Sequence, residues 1–122
     1  MDKIISQKGV YMCDFSGSKF SEEKGIRPII ICQNNIGNTF SPTIWGIPIT
    51  SQRKTDLPTH HIIYRKKYPF LKYDENTIIV EQLTTKDKRR LGKYLGKIDD
   101  DDFNIIVAKI INNLKQFTQV KI

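Results

Sequence analysis

Short apolar runs separated by polar, turn-forming stretches fill the first two thirds of the chain. Gly9 to Phe15 predicts a strand, and Ser16 to Lys24, polar and carrying Gly17, predicts a loop. Pro28 to Gln33 is almost unbroken in its apolar character, which predicts a strand buried on both faces. Asn34 to Asn38 reads as a turn by composition. Thr43 to Thr50 reads as the next strand, and Gln52 to Pro58 as a polar loop. His60 to Arg65 and Asn76 to Gln82 read as two further strands. Short strands joined by loops, with no helical period between them, predict an antiparallel barrel or sandwich. The last third changes character. Phe103, Ile106, Val107, Ile110, Ile111 and Leu114 recur every three or four residues and form one stripe of an amphipathic helix, which would close one side of a barrel. The four aspartates Asp99 to Asp102 stand at its start, where they can cap free N–H groups and complement the helix dipole; an acidic run can also attract a divalent cation. No linker or repeat interrupts residues 1–122, so one domain is expected, mainly β with helices (α+β).

A chain of 122 residues can bury a core without staples. Its 20 Lys and Arg outnumber 13 Asp and Glu, giving a net charge of +7. That excess suits a polyanionic partner such as nucleic acid, and it also fits a lysine-rich soluble surface. Cys13 and Cys32 sit inside apolar runs and read as small buried hydrophobes. Together with the adjacent His60 and His61 they are too few and too scattered for a metal centre, so neither metal nor cofactor is expected. No apolar stretch approaches the roughly 20 residues of a membrane span. Residues 1–8 lack a signal-peptide core, so a cytoplasmic location is expected.

Several side chains could carry chemistry. Alternation along Thr43–Thr50 puts Thr43, Trp45, Ile47 and Ile49 on one face and Ile44, Gly46, Pro48 and Thr50 on the other. Gly46 offers no side chain, and Pro48 belongs at an edge or bulge, so Thr50 and Ser51 should close the strand at an irregular spot with room beside it. Their hydroxyls fit two roles there, phosphate binding or capping of the following turn. Arg27 precedes Pro28, which biases it to extended geometry at the junction of a loop and a strand. Its guanidinium could stabilise a phosphorane-like charge, or simply pair with Glu22 or Glu23. If the strand from Asn76 persists, Asn76, Ile78, Val80, Gln82 and Thr84 share a face, and Gln82 and Thr84 could read base edges. Lys86, Lys88, Arg89, Arg90 and Lys93 would suit a phosphate track or ordinary solvated surface. Arg65-Lys66-Lys67 forms a second basic cluster between Tyr64 and Tyr68, on which a base could stack. His60 and His61 are neighbours on a strand and point to opposite faces, so they cannot act together on one phosphate; structural or hydrogen-bonding roles suit them better.

Taken in order, Gly25-Ile26-Arg27-Pro28 with the following Ile run and Gln33-Asn34, then Pro48-Ile49-Thr50-Ser51, then Leu57-Pro58-Thr59-His60, then Glu81 to Leu91, resemble the MazF/PemK family of toxin endoribonucleases. The resemblance spans nearly the whole chain. It implies an SH3-like antiparallel barrel of the CcdB/PemK type with a C-terminal amphipathic helix, and a homodimer. It also implies metal-independent cleavage of single-stranded RNA, often mRNA, and a cognate antitoxin that blocks the RNA site. The family's catalytic Arg and Thr match Arg27 and Thr50. Its loop acid matches Glu22 and its strand-end Gln matches Gln82. Ser51, Thr84, Lys86 and Arg90 join these as expected substrate contacts. The implied reaction is attack of the RNA's own 2′-OH on phosphorus, leaving a 2′,3′-cyclic phosphate and a 5′-OH. Arginine does not give up its proton near neutral pH, so the resemblance leaves the general base unassigned. Lys24 and Asn76 depart from the family pattern beside the expected RNA path, which bears on the recognised sequence. Two alternatives stay open at this point: a toxin of the same fold acting on a protein such as a topoisomerase, and a non-catalytic basic nucleic-acid-binding module.

Overall fold

The computed structural model of the protein describes residues 4–52 and 56–115. In chain order it has β1 (Gly9–Asp14), β2 (Ile26–Ile31), α1 (Asn35–Phe40), β3 (Thr43–Thr50), β4 (His60–Tyr64), β5 (Glu75–Ile79), β6 (Thr84–Asp87), β7 (Leu91–Lys97) and α2 (Asp100–Asn113). Single 3₁₀ turns stand at Val80–Gln82 and Lys88–Arg90. All strand pairs are antiparallel, in the order β4-β5-β3-β2-β1-β7, with β6 also hydrogen-bonded to β3.

Four of the five predicted strands appear within a residue or two of the expected bounds. The fifth, expected from Asn76 to Gln82, ends at Ile79 because Val80–Gln82 turns into a 3₁₀ segment. The predicted turn at Asn34–Asn38 is the start of α1: the Asn34 side chain accepts the Gly37 N–H and caps a short helix. β6 and β7 have no apolar alternation to announce them. Thr84-Thr85-Lys86-Asp87 carries no hydrophobe, and β7 pairs with β1 through two register shifts. Of the expected loop from Gln52 to Pro58, residues 53–55 lie outside the described residues.

The sheet is buried on both faces at its centre, as the apolar run of β2 predicts. Ile30 joins Val10, Ile47, Ile49, Ile63 and Ile78 on the face that α2 covers with Phe103 and Ile106. Ile29 and Ile31 point the other way, into a second cluster with Tyr11, Cys13, Phe15 and Ile44. The helix begins as the aspartates predict, with Asp99 accepting the Asp102 N–H at 2.9 Å. Val107 and Ile110 pack at the margin of the core, but Ile111 and Leu114 are 45% and 81% exposed, so the buried stripe stops at Ile110.

Asp102 ties the helix start to the sheet. Its carboxylate receives hydrogen bonds from His61 Nε2 (2.8 Å), Lys67 Nζ (2.9 Å) and the Tyr68 hydroxyl. Lys67 also pairs with Asp99 at 2.8 Å. Tyr68 is therefore buried and committed, not a platform for a base as its sequence position suggested; Tyr64 is exposed. Burial raises the Asp102 carboxyl, yet the bonds from Tyr68, His61 and Lys67 outweigh it and hold the group at about 2. Unfolded, the same carboxyl titrates near 3.8. The stabilisation is thus complete above the unfolded value and is lost as pH falls through about 4 toward about 2. Asp102→Ala should cost about 3 kcal/mol at pH 7, because it strands buried donors from Tyr68 and His61. In urea denaturation, that gap between wild type and variant should shrink as the pH falls from 7 to 3.

Candidate active site

The site grows out of the register between β2 and β3. Ile31 faces Gly46, Ile30 faces Ile47 and Ile29 faces Pro48. The ladder stops there because Pro28 has no N–H to give. Two places further along the same register, Arg27 stands opposite Thr50. Opposed residues share a sheet face, so both side chains project on the face of Ile29 and Ile31. The Arg27 Nη1 donates to Thr50 Oγ1 at 3.4 Å.

β3 is fitted tightly into this place. A Cβ at Gly46 would stand 2.5 Å from Ile29 Cδ1, so the expected room beside this strand is filled by Ile29 and only glycine is accommodated. Cys32 N–H donates to Trp45 O at 2.8 Å. By alternation the amides of Gly46, Pro48 and Thr50 then point to the opposite edge of β3. That edge is shared: β6 pairs with Thr43 to Gly46 and β5 with Ile49 and Thr50. Pro48, lacking an N–H, falls in the gap between the two partners. Across the gap, the four steps from Gly46 to Thr50 face seven from Thr77 to Thr84. The three excess residues form the 3₁₀ turn Val80–Gln82. The irregular spot expected near Pro48 is real, but it lies on the partner strand.

Thr50 is 1% exposed, so the room expected beside it is closed to solvent. Its hydroxyl also accepts the Gln52 N–H at 3.2 Å, so the turn-capping role and the contact to Arg27 coexist. Arg27 has 28% of its side chain exposed. Its Nε donates to Lys24 O at 2.7 Å and lies 3.6 Å from the buried Glu23 carboxylate. Gln82, carried off the ladder by the 3₁₀ turn, accepts the Glu23 N–H at 2.8 Å through Oε1 and donates to Ser21 O at 3.3 Å through Nε2.

A groove of about 280 Å³ opens beside Glu23 and gathers Glu22, Gln82, Thr84 and Lys86 over a floor that includes Phe15 and Pro48. A second recess of about 360 Å³ holds Arg27 and Ser51 with Tyr73 and Lys72. Arg90 is in neither; its Nη1 grips the carbonyls of Asp14 and Ser16, both at 3.2 Å. The basic run is largely committed within the chain. Lys86 Nζ lies 5.1 Å from the centre of the Phe15 ring, Lys88 bonds the Asn38 carbonyl, and Arg89 pairs with Asp87 at 3.0 Å. Asn76 is buried and donates to Tyr73 O at 2.8 Å, whereas Lys24 is exposed.

The histidines take separate structural places. His60 Nε2 meets Glu81 at 2.9 Å, with Thr59 Oγ1 on the other carboxylate oxygen at 2.9 Å, and His61 serves Asp102. Burial raises the Glu81 carboxyl, but the bonds from His60, its own backbone N–H and Thr59 outweigh it and hold it low. The cysteines are free thiols, raised by burial to about 11 at Cys13 and about 12 at Cys32, which leaves them inert as nucleophiles. Among the described residues, no three His, Cys, Asp or Glu side chains gather as a metal site. Phe15 and Glu81 also line the groove: the first ends an apolar run and reads as core, and the second opens the Glu81 to Leu91 segment but reads as part of a strand. Glu23 was legible as a partner for Arg27, four residues away.

Residues 6–114 match the family described as PemK-like, MazF-like toxins of type II toxin-antitoxin systems. Endoribonuclease EndoA of Bacillus subtilis (strain 168) is 41% identical over 99 residues, which cover 80% of this chain and 84% of that protein. The crystal structure of MazF (Form-I) from Deinococcus radiodurans has the same fold, with a TM-score of 0.79 at 18% identity, covering 93% of this chain and 98% of that one. An endoribonuclease solved in complex with its cognate antitoxin, from a Mycobacterial species, gives a TM-score of 0.71 at 24% identity, covering 90% of this chain and 94% of that one. With a fold and a family profile that agree over almost its whole length, the chain belongs to the PemK-like, MazF-like toxins of type II toxin-antitoxin systems.

Proposed function

We propose that this toxin is an endoribonuclease that cuts single-stranded RNA, mRNA included, at a short sequence, by transesterification, and that a cognate antitoxin neutralises it. The observation that carries this reading is Arg27 set against Thr50 by strand register, with Nη1 3.4 Å from Oγ1. The 41% identity to an endoribonuclease supports it. This pairing favours RNA cleavage over a protein-targeting or purely binding role, because a fixed guanidinium beside a hydroxyl is suited to a phosphate. The Nε edge of Arg27 is occupied by Lys24 O and Glu23, so its Nη donors are the ones left to engage the equatorial phosphate oxygens. Thr50 Oγ1, which accepts from Gln52 N–H and Arg27 Nη1, keeps its own O–H to hydrogen-bond a non-bridging phosphate oxygen. The RNA 2′-OH attacks phosphorus and gives its proton to solvent, the bond to the 5′ oxygen breaks and that oxygen takes a proton from solvent, and a 2′,3′-cyclic phosphate and a 5′-OH remain. Positioning and charge stabilisation by the guanidinium carry the acceleration. Neither Arg27 nor Thr50 needs an ion for this work.

Lys86 lies where it can meet a backbone phosphate, while Glu22, Thr84 and Ser51 border the path of the flanking nucleotides. In the same reading, residues 1–122 form one domain whose sheet curls into an SH3-like barrel, and two copies pair. Ile36, Phe40 and Trp45 are 73%, 82% and 55% exposed within a short span of chain, which fits a covered surface. No helix among the described residues is long and apolar enough to cross a membrane, and the reading places the protein in the cytoplasm with its RNA.

Cleavage of a long RNA should persist in EDTA; loss of activity restored by magnesium would contradict the mechanism. Arg27→Ala should lower the rate by about 10²–10³. Arg27→Lys should fail similarly, since it lacks the planar fork. Thr50→Ala should both slow cleavage and cost about 1–2 kcal/mol in thermal unfolding, because this hydroxyl and methyl are buried. Thr50→Ser should recover part of the rate.

A further inference from the structure

We propose that Gln82 is a positioning residue that fixes the Arg27 guanidinium through the loop between β1 and β2. The proposal deepens the nuclease reading and rests on it for its kinetic arm. Its origin is the insertion opposite Pro48. The turn Val80–Gln82, closed by Leu83 N–H to Val80 O at 3.1 Å, lifts Gln82 out of the ladder and aims it at the loop. Both ends of its amide are then engaged by that loop's backbone, at Glu23 N–H and Ser21 O.

The loop segment so held is the one that grips Arg27. Lys24, next to Glu23, supplies the carbonyl that Arg27 Nε donates to, and Glu23 supplies the nearby carboxylate, itself only 7% exposed. The chain then reverses at Gly25, whose φ of +77° suits glycine. The loop's own bonds include local turns, Ser18 N–H to Phe15 O and Glu22 N–H to Lys19 O, both at 3.2 Å. Such turns shape the loop, and the Phe15 N–H to Gly25 O bond at 2.7 Å closes its base beside β1. Arg90 anchors its beginning at Asp14 and Ser16, and Gln82 anchors its end. A guanidinium held at Nε keeps one orientation of its Nη donors, and displacements near 1 Å in such a group cost on the order of 10²-fold in rate. An amide that orders the catalytic arginine acts at every cut site alike. A base reader would instead act differently from site to site.

The test uses Gln82→Ala and Gln82→Met in the full chain. Methionine keeps the length and packing of the side chain but lacks the amide. In ¹H–¹⁵N spectra without RNA, the Arg27 Nε–H resonance should be sharp and protected from exchange in the wild type, and broadened or exchanging fast in both variants. On a mapped transcript, both should lower kcat by about 10- to 100-fold at every site, with KM near wild type and the ranking of sites kept. An unchanged Arg27 resonance in both variants would overturn the proposal. So would wild-type behaviour of Gln82→Met, which would reduce the role to packing, or a changed ranking with full kcat at the best site, which would make Gln82 a reader of bases. The spectroscopic arm needs no RNA, so it stands or falls apart from the nuclease reading.

Discussion

The pairing register of β2 against β3 is the constraint on which the rest of this molecule depends. Ile29 opposite Pro48 places Arg27 opposite Thr50, and it places Ile30 and Ile47 in the opposite core. A slip of one residue would exchange the two faces and carry Arg27 away from Thr50. Nothing in the register is left loose. Ile29 fills the space where Gly46 has no side chain, so the strands interlock sterically as well as through their amides. Two prolines mark the ends of what can be paired. Pro28 releases the β2 edge just before Arg27, and Pro48 leaves the outer edge of β3 unpaired where β5 gives way to β6.

The irregularity at Pro48 links the sheet to the loop between β1 and β2. Three additional residues on the partner strand would be only a defect if Gln82 did not use them to reach Glu23 and Ser21. The anchoring of α2 through Asp102, Tyr68 and His61 is built from other residues and serves stability. The two networks share no residue, so the anchoring of α2 and the proposed chemistry can be changed independently. Thr50 is buried, caps Gln52 and faces Arg27, so it serves both stability and the proposed chemistry.

Much of the fold was legible because the first strands are apolar enough to announce themselves. β6 and β7 were not: β6 is Thr, Lys and Asp, the Leu, Tyr and Leu of β7 do not alternate, and both are defined by the partners they pair with, β3 and β1. The 3₁₀ turn was hidden because Val80-Glu81-Gln82 suits a strand equally well; only the count of residues across the ladder reveals it. Arg27 and Thr50 were singled out by their place beside Pro28 and Pro48 and by family resemblance. Their contact, and the burial of Thr50, follow from long-range register that one strand's alternation cannot show. The basic run from Lys86 to Arg90 shows the limit of reading charge alone: most of its members bond their own chain.

In the proposed mechanism, Arg27 and Thr50 hold a phosphate while the RNA's own 2′-OH attacks it. This mechanism is tested most directly with a short RNA containing a mapped cut site and a single 2′-deoxy nucleotide immediately 5′ of the scissile phosphate. The account predicts that this one change abolishes cleavage there, and that the all-RNA control yields a 2′,3′-cyclic phosphate and a 5′-OH. Cleavage of the deoxy-substituted strand at the same bond, or products ending in 3′-OH and 5′-phosphate, would contradict it.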